Sequence, residues 1–81
     1  MEIAYTVHAR DMLKERAIPD AWVVRAVESP LRTETLDDGT THYLSEVPER
    51  GGRTLRVVLN MEASPPIVVT VFFDRRLRRQ S

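Results

Sequence analysis

The residues best equipped for chemistry in this chain are two histidines and a few cationic or hydroxyl side chains in apolar surroundings. His8 follows Thr6, whose hydroxyl suits the cap of a helix because it accepts an orphan backbone N–H. In the first turn of that helix the positive end of the dipole favours a neutral ring, and a neutral imidazole serves as a general base. The same helix end attracts phosphate. The plainer role for His8 is to tie the first turn to a sheet by a hydrogen bond. Arg16 lies two turns further on, where it binds phosphate or, more plainly, pairs with Glu15 or an acidic strand residue.

Arg56 interrupts the apolar run Leu55-Arg56-Val57-Val58-Leu59. A buried or half-buried arginine must be paired, so it requires a carboxylate, a carbonyl or a ligand phosphate. Thr70 is the one polar residue in Ile67–Phe73; its plainer explanation is β propensity. If the strands carrying them pair, Arg56 and Thr70 can share a face. His42 or Tyr43 completes the patch, and strand parity alone does not choose between them. His8 and His42 lack metal-ligand spacing, so no metal and no cofactor is expected. Phosphate-binding glycine loops, HExxH, nucleophile elbows and CxxC are missing from the sequence. Ser29, Ser45 and Ser64 have no base nearby in sequence, so a serine nucleophile is not indicated.

The elements that must position these groups follow from periodicity. Ile3–Val7 reads as a short strand or an extended lead-in. His8–Arg16 is rich in helix formers and buries Ala9, Met12 and Leu13 along one stripe. Ile18-Pro19-Asp20 ends that helix and Pro19 suits the start of a second, over residues 20–28. Ser29-Pro30 closes it. The period then changes. Strands are expected over residues 31–37, 40–47, 53–61 and 67–73, with a tight Asp38-Gly39 hairpin whose two central residues both take positive φ. A second turn falls at residues 48–52. Helices followed by strands predict an α+β domain: two N-terminal helices packed on one face of a roughly four-stranded antiparallel sheet. The last strand, apolar on both faces except at Thr70, should be central and covered. The expected core is Trp22, Val23, Val57, Leu59, Val69 and Val71.

Eighty-one residues make one domain with a thin core. No apolar run approaches the ~20 residues needed to span a bilayer, and Met1–Tyr5 lacks the basic start and apolar stretch of a signal peptide. The absence of cysteine fits a cytoplasmic location. Formal net charge is zero, but Arg75, Arg76, Arg78 and Arg79 crowd the C-terminus, and without them eight basic side chains face twelve acidic ones. The reading is thus a mildly acidic domain over residues 1–74 and a basic tail over 75–81. The tail is attracted to nucleic-acid phosphate or an acidic partner, or simply keeps the last strand soluble, and is expected to be mobile and act through charge alone. A thin core and an exposed strand edge also predict a homodimer or a complex with another protein.

Tyr5-Thr6-Val7-His8-Ala9, then Met12, Arg16, Ile18, Val23, Val24 and Pro30, resemble the opening of the prokaryotic domain-of-unknown-function family 4258. Arg53–Val58 and Val68–Phe72 resemble its end. The family typically has glycine after the helix arginine and serine after the isoleucine; here Ala17 and Pro19 stand there. The resemblance implies a fold similar to RelE- and BrnT-type toxins, which are typically metal-independent ribonucleases paired with an antitoxin. The positions it marks are His8, Arg16, Arg56 and Thr70. In a metal-free RNA cleavage these would be proton carrier, second cation, phosphate-stabilising cation and positioning hydroxyl, with His42 or Tyr43 as a second proton carrier. RNA or the ribosome and an antitoxin protein would be the partners. The rival expectation is a non-catalytic protein-interaction module in which the same four residues form an internal polar network.

Overall fold

A computed structural model describes residues 2–77. In chain order it holds β1 (Ala4–Tyr5), α1 (Val7–Glu15), α2 (Asp20–Glu28), β2 (Arg32–Thr35), β3 (Thr40–Val47), β4 (Arg53–Asn60) and β5 (Ile67–Phe73). The strands form one five-stranded sheet in the order β1-β5-β4-β3-β2. The α+β class holds, with three corrections. A strand precedes the helices, so they are not N-terminal in chain order, and the sheet has five strands instead of four. It is also mixed, because β1 pairs parallel with β5 while all other neighbours are antiparallel. The short strand read at Ile3–Val7 is present at Ala4–Tyr5, but two residues are too few to show where it pairs. β1 exists because the Ala4 and Thr6 N–H groups donate to the carbonyls of Pro66 and Val68.

Helix α1 starts where Thr6 caps it, its hydroxyl accepting the Ala9 N–H at 3.0 Å. It ends in a Schellman motif. The Ile18 N–H reaches the Leu13 carbonyl, the Ala17 N–H reaches that of Lys14, and Ala17 takes φ +53°. Glycine is the usual occupant of such a left-handed position, and alanine holds it under strain. Leu13 and Ile18 bury together, which is the hydrophobic contact this motif usually carries. Arg50 seals the same end by donating to the carbonyls of Arg16 and Ala17 while stacking on Trp22.

Both helices cover one sheet face. Ala9, Leu13, Val23, Ala26 and Val27 pack there on Val47, Leu55, Val57, Leu59, Val68 and Val71, with Trp22 half-buried beside them. Val69 departs from the expected core. The β4–β5 register shifts so that Val58 faces Thr70 while Leu59 faces Val68, which leaves Val69 unmatched and 36% exposed. The central strand is β4, not β5; beyond Val68, β5 has no strand partner on its outer side among the described residues. The β2–β3 turn also differs from the tight hairpin. Only Gly39 takes positive φ, at +87°, and the Leu36 N–H bonds to Thr40 across a three-residue loop. Among the described residues no helix is long and apolar enough to cross a membrane.

Candidate functional site

Cross-strand partners share a sheet face. The face away from the helices therefore carries the row Glu34, His42, Val58, Thr70 and the adjacent row Arg32, Leu44, Arg56, Phe72. Arg56 and Thr70 do share a face, and the histidine that joins them is His42. Tyr43 lies on the other face, packed against the core.

Arg56 is buried, and its Nε and Nη1 are both engaged. Its Nε donates to Asp74 Oδ2 at 2.9 Å, and its Nη1 donates to Glu34 Oε1 at 3.0 Å and to His42 Nδ1 at 2.9 Å. Because a guanidinium only donates, His42 Nδ1 is the acceptor, which places the ring proton on Nε2. Asp74, at the end of β5, is the hub. Arg76 donates to it from its backbone N–H and from its guanidinium. Those bonds, the Arg76 guanidinium first, hold the Asp74 carboxyl at about 2 against the opposing effect of burial. The Arg56 guanidinium likewise lowers Glu34. The partner that Arg56 required is thus a pair of carboxylates from the chain itself.

His8 and Thr70 meet elsewhere. The Tyr5–Val68 pairing brings the chain alongside β5, Thr6 Oγ1 donates to the Val69 carbonyl at 3.1 Å, and α1 begins at once. His8 Nε2 then stands 3.2 Å from Thr70 Oγ1, and the imidazole remains exposed. Such a contact orients a ring without removing it from solvent. Arg16, about 12 Å further along the helix, lies at the other end of the α1–β5 seam. It lines a cleft of about 280 Å³ with Arg53, Phe73, Asp74 and Arg75. Arg16 forms no side-chain ion pair among the described residues, contrary to its plainer reading.

The four marked residues therefore separate into a His8–Thr70 pair, a buried Arg56 network and an exposed Arg16. Of the tail arginines, Arg75 and Arg76 lie in a 3₁₀ turn over Arg75–Leu77. Arg76 is docked on Asp74, so the start of the tail does more than supply charge. Arg78 and Arg79 lie outside the described residues. Sequence reasoning missed Asp74, Glu34 and Arg53. The need for an Arg56 partner was readable, but nothing in the local pattern pointed to which carboxylates meet it. Among the described residues no group of three or more His, Cys, Asp or Glu is placed to hold a metal.

Fold and site together define a small α+β domain with an accessible histidine–threonine pair beside an edge strand. Residues 5–73 match the family described as Domain of unknown function (DUF4258), and the chain belongs to it. No curated protein and no solved structure matches the chain.

Proposed function

We propose that this protein is a toxin-like, metal-independent endoribonuclease, similar in fold to RelE- and BrnT-type toxins and acting in the cytoplasm with an antitoxin protein as partner. The observation that carries this reading is His8: an exposed imidazole, oriented by Thr70 at 3.2 Å, in the first turn of a helix. In this mechanism His8 donates its Nε2–H to Thr70, and the free lone pair on Nδ1 removes the proton from an RNA 2′-hydroxyl. The freed oxygen attacks the adjacent phosphorus, the bond to the 5′-oxygen breaks, and the His8 imidazolium returns a proton to that leaving oxygen. The N-terminal N–H groups of α1 beside His8 suit the charge that builds on the phosphorane. Thr70 is the positioning hydroxyl. Arg56 becomes a positioning residue as well, since its Nε and Nη1 are committed to protein partners; Arg16 remains a cation available to the strand.

The outer edge of β2 and the part of β5 beyond Val68, which have no strand partner among the described residues, support association, with an antitoxin peptide or a second copy adding a strand. The test is cleavage of single-stranded RNA, alone and with ribosomes, in EDTA. Wild type should cut, and His8→Ala should cut ~10²–10⁴-fold more slowly with an unchanged circular dichroism spectrum. A wild-type rate in His8→Ala removes His8 from the mechanism. The second reading, a non-catalytic interaction module, is favoured by one observation: Arg56 is internally satisfied by Asp74, Glu34 and His42. A folded wild type that cleaves no RNA under either condition makes it the better account.

A further inference from the structure

The described part of the chain contains nine arginines, and their partners divide them sharply. Arg10 pairs with Asp20, Arg25 with Glu49 and Arg32 with Glu34. Arg56 and Arg76 pair with Asp74, and Arg50 donates to two backbone carbonyls. Arg16, Arg53 and Arg75 alone have no side-chain hydrogen bond or ion pair among the described residues. All three are exposed, and all three line the same cleft. They come from distant parts of the chain: the C-terminal end of α1, the first residue of β4 and the turn after β5. Like charges without counter-charges repel, and their gathering around one hollow is unfavourable unless an anion sits there. The one carboxylate in the lining, Asp74, is already engaged by Arg56 and Arg76. Phe73 forms an apolar wall, and Arg50 stacks on its ring at 5.6 Å, adding a further positive charge behind it. This concentration of cations belongs to a domain that is acidic over residues 1–74.

We propose that the Arg16–Arg53–Arg75 cleft is a binding site for a phosphate group of a single-stranded RNA. Planar guanidinium groups hold phosphate oxygens in two-pronged fashion, and three of them around a cleft of about 280 Å³ suit a tetrahedral anion with its flanking strand. The cleft lies on the same α1–β5 seam as His8, about 12 Å along the helix, so one strand can occupy both places. The site deepens the ribonuclease reading but requires binding only.

The test therefore uses a labelled 2′-O-methyl RNA of twelve nucleotides, which has no free 2′-hydroxyl to react. Its binding to the full chain is followed by anisotropy across a salt series. Each of Arg16→Gln, Arg53→Gln and Arg75→Gln should weaken binding about tenfold and flatten the salt slope by about 0.7. The melting temperature should stay within a degree or two of wild type. A double variant, Arg25→Gln with Glu49→Gln, removes an ion pair at constant net charge and should bind like wild type. Inorganic phosphate should displace the RNA only weakly, which separates a strand phosphate from a free one; equal potency on a per-phosphate basis would reassign the site to free phosphate. An oligoglutamate of equal charge that binds more tightly than the RNA would overturn the proposal in favour of an acidic protein. So would a triple variant with wild-type affinity and salt slope. RNA that is bound here, while unmodified RNA is never cleaved, leaves the site standing and removes the ribonuclease reading instead.

Discussion

Arginine plays two opposite parts in this molecule, and the contrast lies in what surrounds each guanidinium. Arg56 is 6% exposed and held between Asp74, Glu34 and His42 on the face away from the helices. Arg16, Arg53 and Arg75 stand exposed around a cleft on the α1–β5 seam, with no side-chain hydrogen bond or ion pair among the described residues. A buried ion pair is weak testimony to net stability, yet removing one member is costly, because the other charge is left without compensation. An exposed unpaired guanidinium contributes little to folding and keeps its donors for a ligand. The buried network thus sets the geometry of β3, β4 and the end of β5, while the seam offers accessible groups. His8 belongs with the second region, exposed and oriented by one hydroxyl.

The largest expected effect is on the buried side. Arg56→Ala should destabilise the fold by about 3 kcal/mol, lowering the melting temperature by roughly 12–24 °C for a domain of this size, as read by thermal and urea unfolding. An Arg56→Ala protein that melts like wild type but loses RNA cleavage would move Arg56 out of the architecture and into the chemistry.

Acid should act through the same network. Asp74 titrates at about 2 in the folded chain against an ordinary 3.8, so its stabilisation is complete above about pH 4 and is lost as pH falls from there towards 2. Glu34, lowered by Arg56, acts in the same direction. Urea midpoints measured from pH 6 to pH 2 should fall in that window, and Asp74→Asn should flatten the profile. A profile unchanged by Asp74→Asn would mean other carboxylates control acid stability.

A smaller gain is expected at the turn between the helices. Ala17→Gly relieves a left-handed alanine and should stabilise the chain by about 1 kcal/mol, raising the melting temperature by a few degrees. A decrease would show that the backbone freedom glycine adds to the unfolded chain outweighs the strain. The smallest stability effects belong to the seam. His8→Ala and Thr70→Val should each change stability by less than about 1 kcal/mol, because the single contact they share is solvent-exposed. A cooperative loss of several times that size in either variant would place the pair with the architecture and weaken the contrast between the two regions.

Much of the fold is legible from local pattern. Thr6 as cap, the helix over residues 20–28, and the strands over 40–47 and 67–73 follow from hydroxyl placement, proline and glycine punctuation and the change of period after Pro30. The departures have specific causes. β1 is defined by parallel pairing with a strand more than sixty residues away, which no local window contains. Val69 leaves the core because of a bulge, and a bulge depends on the register of two strands, not on the composition of one. The departure from the family's usual glycine at Ala17 marked a turn position where backbone conformation matters, although its left-handed geometry became visible only in the structure.

The same division runs through the candidate site. The sequence by itself determined that His8 would stand in the first turn of a helix and that Arg56, set among Leu55, Val57 and Val58, would need a carboxylate, carbonyl or phosphate partner. These follow from capping chemistry and from the cost of burying an unpaired charge. Only the tertiary structure decided that the partner is Asp74 with Glu34, that His42 and not Tyr43 joins them, and that Thr70 meets His8 instead of Arg56. It alone gathered Arg16, Arg53 and Arg75 around one cleft. Pairings of this kind depend on strand register and on the packing of α1 along β5, which are fixed by the burial of the whole core and not by any residue's neighbours in the chain.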